Sequence, residues 1–278
     1  MVDAPAARGD GPDDPVLAVE HLSVAYGSDE VLDRLDLAVD RGERLAVVGE
    51  SASGKTTLAL ALVDALPEPA RRSGAVIYRP GDGDPISVFD LDDDERDRVR
   101  REAVAVVAGD GGFAPTSTLR AGFRPALRAT GTDEARAEAL LASLGLDPDR
   151  VLDARPGELN AAALELSELA RAALAAPAVV AVDDRPAALA HLARGDRLDS
   201  FRSAVGADGA TGAAGGAAPD APAVVALGGE LPALAALADR LAVLHDGHVV
   251  EVGPTERVLD EPTHPHTRTL VAFYRGSL

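Results

Sequence analysis

Residues 47–57 read VVGESASGKTT, and this stretch decides the fold. Gly49, Gly54, Lys55 and Thr56 fit the pattern G-x-x-x-x-G-K-[ST], which is typical of a phosphate-binding loop, or P-loop. In such a loop, backbone N–H groups surround the phosphates and the lysine reaches the outer two. The stretch therefore predicts a nucleotide-binding site.

Lysine is absent from the rest of the chain, which strengthens this interpretation. The 27 basic residues are arginines except for Lys55. A compact ammonium on a flexible stem fits between two phosphates, where the planar guanidinium of arginine fits poorly. The single lysine therefore stands where the predicted chemistry needs it.

The segments on either side have the structure that a P-loop needs. Residues 44–49, RLAVVG, predict a buried strand that runs into the loop. Residues 54–66, GKTTLALALVDAL, predict a helix that begins at Gly54 and ends before Pro67. Strand, glycine loop and helix in this order favour a functional motif over a chance match in a surface loop.

Composition limits the classes of function. The 278 residues include no cysteine, which excludes disulfides, thiolate metal sites and cysteine nucleophiles. The net charge of −19 argues against a nucleic-acid-binding surface, so we expect no nucleic-acid partner. No apolar run approaches the roughly 18 residues that span a bilayer, and the N-terminus lacks the apolar region of a secretory signal. We therefore expect a cytoplasmic protein without direct membrane insertion.

The order of predicted elements indicates an α/β fold. Short alternating runs before the P-loop are typical of an antiparallel β layer, and buried strands alternate with helices after it. Between residues 111 and 177 the pattern is helical. We predict a P-loop NTPase core of the RecA-like type, with an antiparallel β layer and an inserted helical subdomain.

The predicted domain organisation has one main unit. Residues 1–14 predict a disordered tail, and residues 15–278 a single domain. Within that domain we expect the helical subdomain at about 111–177, a flexible Gly- and Ala-rich insertion at 204–222 and a C-terminal segment at 253–278.

Two acids end the buried strand predicted at residues 178–184, AVVAVDD. An acid at the carboxyl end of a buried strand is where a P-loop fold holds Mg²⁺. We therefore expect Asp183 to bind this ion together with the hydroxyl of Thr56. The alternative is a plain turn, because Asp and Pro favour turns, but the P-loop upstream favours the magnesium site.

The ordered set of motifs resembles the ATP-binding-cassette (ABC) transporter ATPases over roughly residues 16–274. The segment RPGELNAAALELSELARAALAAPAVVAVDD resembles the signature helix of that family running into its Walker B strand. The segment His264-Pro265-His266-Thr267 resembles the end of the oligopeptide/dipeptide/nickel importer subgroup.

The resemblance implies a site for ATP and Mg²⁺. Tyr26 stands where the family stacks an aromatic ring on adenine, and Asp184 stands where it has a catalytic glutamate. The implied metal ligands are Thr56 and Asp183. The implied nucleotide-binding residues are Tyr26, Gly49, Glu50, Ser51, Ala52, Ser53, Gly54, Lys55, Thr56, Thr57 and Asp183.

Several positions depart from the family pattern. The signature Leu-Ser-Gly-Gly-Gln is replaced by LNAAA at residues 159–163. Asn160 is still a good N-cap, so the helix should form, but two alanine Cβ atoms replace glycines that approach the partner's nucleotide. Asp184 is one methylene shorter than glutamate. The other departures are Gly229 at the switch histidine, Gly109 at the Q-loop glutamine, Ala190 at the D-loop aspartate and Ala52 at a third loop glycine.

We therefore predict an ATP-binding subunit of a peptide- or nickel-type ABC transporter that hydrolyses ATP weakly or not at all. The resemblance implies an ABC-type dimer, either a homodimer or a pair with a second ATPase subunit. It also implies transmembrane permease subunits that hold the chain at the inner face of the plasma membrane. One alternative is a regulatory ATP-binding protein without a role in transport. A small-molecule P-loop kinase is a third reading, although residues 118–128 carry three arginines without a recognisable lid motif.

Two histidine pairs have structural interpretations. His264 and His266 lie in a Pro-rich segment without a carboxylate or cysteine at ligand spacing, so a structural tail is favoured over a metal site. His245 and His248 flank Asp-Gly, which predicts a hairpin with solvated turn residues.

Overall fold

The computed structural model describes residues 15–79, 83–108, 112–207 and 221–276. The strands in these ranges are β1 (Leu17–Tyr26), β2 (Asp29–Val39), β3 (Arg44–Val48), β4 (Ala70–Tyr78), β5 (Ile86–Ser87), β6 (Val104–Val107), β7 (Val179–Asp183), β8 (Ala223–Gly228), β9 (Arg240–His245) and β10 (His248–Pro254). The α-helices are α1 (Lys55–Ala61), α2 (Asp93–Glu102), α3 (Leu119–Thr130), α4 (Glu134–Ser143), α5 (Pro148–Asp153), α6 (Ala161–Ala172), α7 (Pro186–Leu192), α8 (Arg197–Ala207), α9 (Leu231–Leu237), α10 (Thr255–Asp260) and α11 (Pro265–Gly276). Within the described ranges, no helix is both long and apolar enough to span a bilayer.

The larger sheet has six strands in the order β10-β9-β3-β8-β7-β6. The strands from β9 to β6 are parallel, and β10 pairs antiparallel with β9. Parallel strands covered on both faces are apolar along their length, and β7 and β8 consist entirely of buried residues. The one charged residue in these two strands, Asp183, comes at the carboxyl end of β7.

The carboxyl ends of three neighbouring strands meet at one edge of this sheet. Val48 of β3 pairs with Gly228 of β8, and Leu227 of β8 pairs with Asp183 of β7. The chain segments that follow these strands therefore lie side by side, where ligands bind in open α/β sheets.

The smaller sheet forms the predicted antiparallel layer, in the order β2-β1-β4-β5. Its buried face shares a hydrophobic core with α1 and one face of the larger sheet. Leu22, Leu32, Val47 and Leu58 belong to this core. The P-loop is thus supported by both sheets.

Helices α3 to α6 form the predicted helical block. Their buried side chains, among them Phe123, Leu140 and Leu166, share a second core with the opposite face of the six-stranded sheet. Arg136 of α4 donates hydrogen bonds to the carbonyl oxygens of Ala204 (2.5 Å) and Val205 (2.9 Å) at the end of α8. The block therefore packs against the sheet and also against a helix that follows it in the chain.

Helix α1 is shorter than the sequence predicts, because it ends at Ala61 rather than Leu66. Asp64 has a φ of 48°, and the N–H groups of Asp64 and of the next residue turn back to carbonyl oxygens of the last turn. This Schellman arrangement ends the helix. Arg100 of α2 donates to the carbonyl oxygen of Asp64 over 2.5 Å. A residue far away in the chain therefore stabilises the end of this helix.

Two other predicted boundaries fall inside regular elements. Helix α8 continues to Ala207, so the first residues of the predicted insertion at 204–222 are helical. Strand β10 continues to Pro254, so the predicted C-terminal segment begins within a strand. Residues 208–220 of the insertion and the predicted tail at 1–14 lie outside the described residues.

Candidate nucleotide site

Lys55 lies inside the P-loop at the start of α1. Its Nζ donates hydrogen bonds to the carbonyl oxygens of Gly49 (2.9 Å) and Glu50 (2.6 Å) and to the hydroxyl of Ser53 (3.3 Å). Burial lowers the pKa of the Lys55 ammonium, and the charges of Asp183 and Asp184 oppose that shift. The ammonium is therefore held within the loop, close to the acid pair.

Two glycines give the loop its shape. A Cβ atom at Gly49 would lie 2.4 Å from the carbonyl oxygen of Leu244, so a larger residue would collide with β9. Gly54 has a φ of 105°, and a Cβ atom there would lie 2.6 Å from Cδ2 of Leu32 in β2. Both positions need glycine, one for its lack of a side chain and the other also for its backbone conformation.

Ala52 occupies a position that suits glycine better. The residue is exposed and has a φ of 65°, in the left-handed region. A residue with a Cβ atom is less stable than glycine there by roughly 1 kcal/mol. The loop thus has a left-handed backbone at Ala52, although alanine is less stable than glycine in this conformation.

Asp183 is buried and lies beside Thr56. The carboxylate oxygen Oδ1 of Asp183 has no hydrogen-bond partner among the described residues. Burial raises the pKa of Asp183, whereas the interactions with Thr56 and Lys55 lower it. A buried carboxylate oxygen without a partner is costly, and a bound cation would satisfy it.

The residues at this edge fit Mg²⁺. This ion takes one or two protein oxygens and completes its coordination with phosphate oxygens and water. The hydroxyl of Thr56 and the carboxylate of Asp183 supply that number. In the described part of the chain, no group of three or more His, Asp or Glu side chains could form a closed metal site.

Asp184 directly follows β7 and is exposed at the same edge. Its φ is 48°, and its N–H group donates to the carbonyl oxygen of Leu227 over 3.1 Å. Aspartate tolerates this left-handed conformation better than most residues. Strand β8 therefore fixes the backbone of Asp184.

Gly229 follows β8 and lies next to the P-loop. The N–H group of Gly49 donates to the carbonyl oxygen of Gly228 over 3.3 Å. A Cβ atom at Gly229 would lie 3.8 Å from the carbonyl oxygen of Gly49, which is ordinary van der Waals contact. The backbone has room for a side chain beside the loop, and this sequence supplies none.

The other predicted departures are spread over the molecule. Asn160 caps α6, because its Oδ1 accepts a hydrogen bond from the N–H group of Ala163 over 2.8 Å, as predicted. Ala190 lies on α7. Gly109 lies outside the described residues.

Tyr26 lies at the end of β1, in the smaller sheet. It pairs with Asp29 across the β1–β2 hairpin, and its ring is partly buried against the core that includes α1. Leu32 of the same hairpin contacts the loop at Gly54. The structure thus brings the loop and the acids together and places Tyr26 on the neighbouring sheet.

The histidine-flanked turn corrects one expectation. His245 and His248 flank the turn between β9 and β10, as predicted. However, His245 is not simply a solvated turn residue. Its ring stacks on that of His266 at the start of α11, with centroids 3.6 Å apart and an angle of 12° between the planes. The sequence pattern gave no sign of this contact, because the two rings come from different elements.

An ion pair beside the acids was not predicted from the sequence. Nε of Arg185 lies 2.9 Å from Oε2 of Glu168, and both side chains are buried. A charged residue among buried positions of α6 is a signal that could have been noticed. Its partner could not be identified, because Arg185 comes from the loop after β7.

The sequence profile of the ABC transporter family matches residues 32–187, more than half of the chain. The chain belongs to the ABC transporter family. The matched range of this ABC chain contains the P-loop, α6 and both acids. The P-loop and both acids thus lie within the part of the chain that matches the family.

Several curated ABC proteins are similar over nearly the whole chain. The dipeptide transport ATP-binding protein DppD of Caldanaerobacter subterraneus is 26% identical over 269 residues, covering 92% of this chain and 77% of that protein. The glutathione import ATP-binding protein GsiA of Salmonella typhimurium is 27% identical, covering 92% of this chain but 42% of that protein. The oligopeptide transport ATP-binding protein OppD of Bacillus subtilis is 23% identical over 271 residues, with coverages of 92% and 71%. The chain thus spans less than half the length of the glutathione import protein.

Solved structures have the same fold. One ATP-binding subunit of an ABC transporter superposes with a TM-score of 0.67 at 21% identity, covering 92% of this chain and 99% of that chain. The dimeric ATP-binding cassette MJ0796, bound to ADP and Pi, gives a TM-score of 0.65 at 19% identity, with coverages of 86% and 98%. The predicted fold class is thereby confirmed.

Proposed function

We propose that this chain is the ATP-binding subunit of a peptide-type ABC importer, and that it binds Mg-ATP but hydrolyses it slowly. One juxtaposition carries the proposal: Lys55 is held inside the P-loop, close to the buried carboxylate of Asp183. A phosphate chain with its metal ion would bind both charged groups at once. The peptide-type assignment is supported by relatives named for dipeptide, glutathione and oligopeptide transport.

Each part of Mg-ATP has a partner in this proposal. The backbone N–H groups of residues 49–57 surround the phosphates, and Lys55 leaves its carbonyl partners to bind the outer two. Thr56 and Asp183 hold Mg²⁺, which supplies charge neutralisation at the phosphates when bound. Tyr26 stacks on adenine.

Slow hydrolysis follows from the groups that face the terminal phosphate. A base at Asp184 is set back by one methylene, and a displacement of about 1 Å can reduce the rate roughly a hundredfold. Gly229 offers no side chain to the phosphate, although its backbone has room for one. The alanines at the start of α6 bring Cβ atoms to the face proposed to meet a partner's nucleotide.

A groove beside β6 is the site at which we propose that the partners bind. It has a volume of about 810 Å³, lies between β6, α3 and α6, and is lined in part by Val107, Ala121, Pro125 and Arg171. We propose that transmembrane permease subunits contact this groove and hold the chain at the cytoplasmic face of the plasma membrane. The chain would work in an ABC-type dimer, as a homodimer or with a second ATPase subunit.

Nucleotide titration and phosphate release by the purified chain test the proposal. We expect a micromolar dissociation constant for a fluorescent ATP analogue with Mg²⁺, and Lys55→Met should weaken binding at least about tenfold. Arg98→Met, which removes an exposed positive charge from α2, is the control and should not change the affinity. Undetectable binding would overturn the whole proposal. Turnover in the usual range of ABC ATPases would overturn only the slow hydrolysis.

The missing side chain at Gly229 also favours a second candidate, a regulatory ATP-binding protein without a role in transport. Both candidates bind Mg-ATP, so binding does not separate them. Co-purification from the native cell separates them, since a transport subunit should bring permease subunits with it. A chain that carries none while binding Mg-ATP would favour the regulatory candidate.

A further inference from the structure

A buried ion pair lies next to the acid pair, outside the groups assigned to phosphate and metal. Nε of Arg185 donates to Oε2 of Glu168 over 2.9 Å, and the two side chains are 11% and 7% exposed. Arg185 directly follows Asp184, whereas Glu168 lies in the middle of α6. The pair therefore joins the loop after β7 to the helix that resembles the family signature.

Stability alone is a weak reason for such a pair. Both charges lose their hydration, and apolar side chains of similar volume are often as stable at a buried site. Burial raises the pKa of Glu168, and Arg185 opposes that shift. The position of the pair in the molecule offers a functional reason instead.

A second carboxylate of α6 contacts the start of α7, which directly follows this loop. Oε2 of Glu165, one turn before Glu168, accepts a hydrogen bond from the N–H group of Ala188 over 2.7 Å. Arg185 in turn donates through Nη1 to the carbonyl oxygen of Asp184 over 3.3 Å. Two carboxylates of one helix thus contact the segment that directly follows Asp184.

The guanidinium also lies beside the metal-binding carboxylate. Its Nη1 is 3.3 Å from the carbonyl oxygen of Asp184, which directly follows Asp183. A positive charge at that range repels a bound cation, and the repulsion is strong in a poorly solvated site. Glu168 places the opposite charge within 2.9 Å of Arg185 and reduces that repulsion.

We propose that Glu168 is a positioning residue of the Mg-ATP site, which holds Arg185 against α6 and balances the positive charge beside the metal-binding carboxylate. The consequence is a site that favours metal-bound over metal-free ATP. This inference rests on the proposed function, because it needs Mg-ATP to bind at Asp183.

The test compares the affinity of the full chain for ATP in Mg²⁺ with its affinity in EDTA, and the ratio measures the gain due to the metal. Glu168→Gln removes the negative charge that faces the guanidinium and keeps a hydrogen-bond acceptor there. We expect the ratio to fall about tenfold, with a smaller change in EDTA. The double variant Glu168→Met/Arg185→Met removes both charges, and its ratio should return to within about threefold of the wild type.

Glu43→Gln is the matched control. Oε1 of Glu43 lies 2.9 Å from Nη1 of Arg240, and the Glu43 side chain is as buried as that of Glu168. This second pair lies at the amino end of β3, the opposite edge of the same sheet from the P-loop. Its loss should lower the melting temperature, as loss of the Glu168 carboxylate does, but leave the metal ratio unchanged.

The outcomes separate this inference from the proposed function. An unchanged ratio in Glu168→Gln, or an equal fall in Glu43→Gln, overturns the inference while Mg-ATP binding by the wild type stands. Failure of the wild type to bind overturns both. If Glu168→Gln does not fold, Arg185→Met decides: a ratio at or above that of the wild type supports the inference, and a tenfold fall overturns it.

Discussion

At the residue scale, the proposed slow hydrolysis rests on two positions that follow the neighbouring strands β7 and β8. Asp184 keeps a carboxylate on a backbone fixed by β8, but the side chain is short. Gly229 has no side chain, although a Cβ atom would meet only the carbonyl oxygen of Gly49, at 3.8 Å. We therefore expect both positions to accept a larger side chain without displacement of the surrounding backbone.

We expect a large increase in ATP turnover only when Asp184 and Gly229 are both substituted. Asp184→Glu brings a carboxylate closer to the attacking water, but no group then contacts the terminal phosphate from β8, so we expect less than about a tenfold rise in turnover. Asp184→Glu/Gly229→His should raise turnover about a hundredfold, measured as phosphate release at saturating Mg-ATP. Asp184→Glu/Gly229→Ala is the control for the added Cβ atom. Full recovery by Asp184→Glu alone would contradict this account.

Single residues also show which features could be predicted from the sequence and which could not. The need for glycine at positions 49 and 54 follows from a local motif, because loop shape depends on residues close in the chain. The contact between Arg185 and Glu168 does not follow, because it depends on how α6 packs against α7 and the residue before it. Spacing in the sequence does not predict a side-chain pair between two elements that lie far apart in the chain.

At the element scale, the start of α11 is anchored on β10 by one carboxylate. Glu251 accepts hydrogen bonds from the N–H groups of Thr263 (3.0 Å) and His264 (3.0 Å) and lies 3.1 Å from Nη1 of Arg257. Burial raises the pKa of Glu251, but these hydrogen bonds outweigh it and lower the pKa to about 2. The anchor also holds His266 against His245, beside the last residues of β9.

The Glu251 anchor predicts a specific dependence of stability on pH. Because the pKa falls from 4.5 in the unfolded chain to about 2 in the folded one, the stabilisation is complete above pH 4.5 and is lost as the pH falls towards 2. Its size is about 3 kcal/mol. Urea unfolding should show Glu251→Gln less stable than the wild type at pH 6, with the difference shrinking as the pH falls from 4.5 to 3. Glu256→Gln, an exposed change on α10, should show no such trend, and a difference that does not vary with pH would contradict the assignment.

An element boundary can be recognised in the sequence where nearby residues cap the element. Helix α2 follows a charged stretch with its own capping box, in which Asp92 and Glu95 satisfy each other's backbone N–H groups. Helix α1 ends early for a different reason, since its stop depends on Asp64 and on Arg100 of another helix. Proline at position 67 marks where a helix cannot continue, not where it must end.

At the scale of the whole molecule, both nucleotide sites of the proposed dimer would contain residues that depart from the family pattern. Each site of an ABC-type dimer would join the P-loop of one chain to the start of α6 in the other. In this chain the P-loop side has Asp184 and Gly229, and the α6 side has alanines at the first two helical positions. A partner subunit with the usual catalytic residues would therefore supply them on only one side of each nucleotide site.

The start of α6 should also decide whether ATP brings two chains together. Ala161 and Ala162 follow the Asn160 cap, and their Cβ atoms would stand where a close approach of backbone to phosphate needs glycine. We expect the wild-type chain to remain monomeric at micromolar concentration with Mg-ATP, measured by light scattering after size exclusion. Ala161→Gly/Ala162→Gly should dimerise at least about tenfold more tightly, although glycine lowers helix stability by about 1 kcal/mol per residue. Adding Lys55→Met should abolish the gain, because the dimer needs bound nucleotide. Equal dimerisation of the wild type and the glycine variant would show that the alanines do not limit closure.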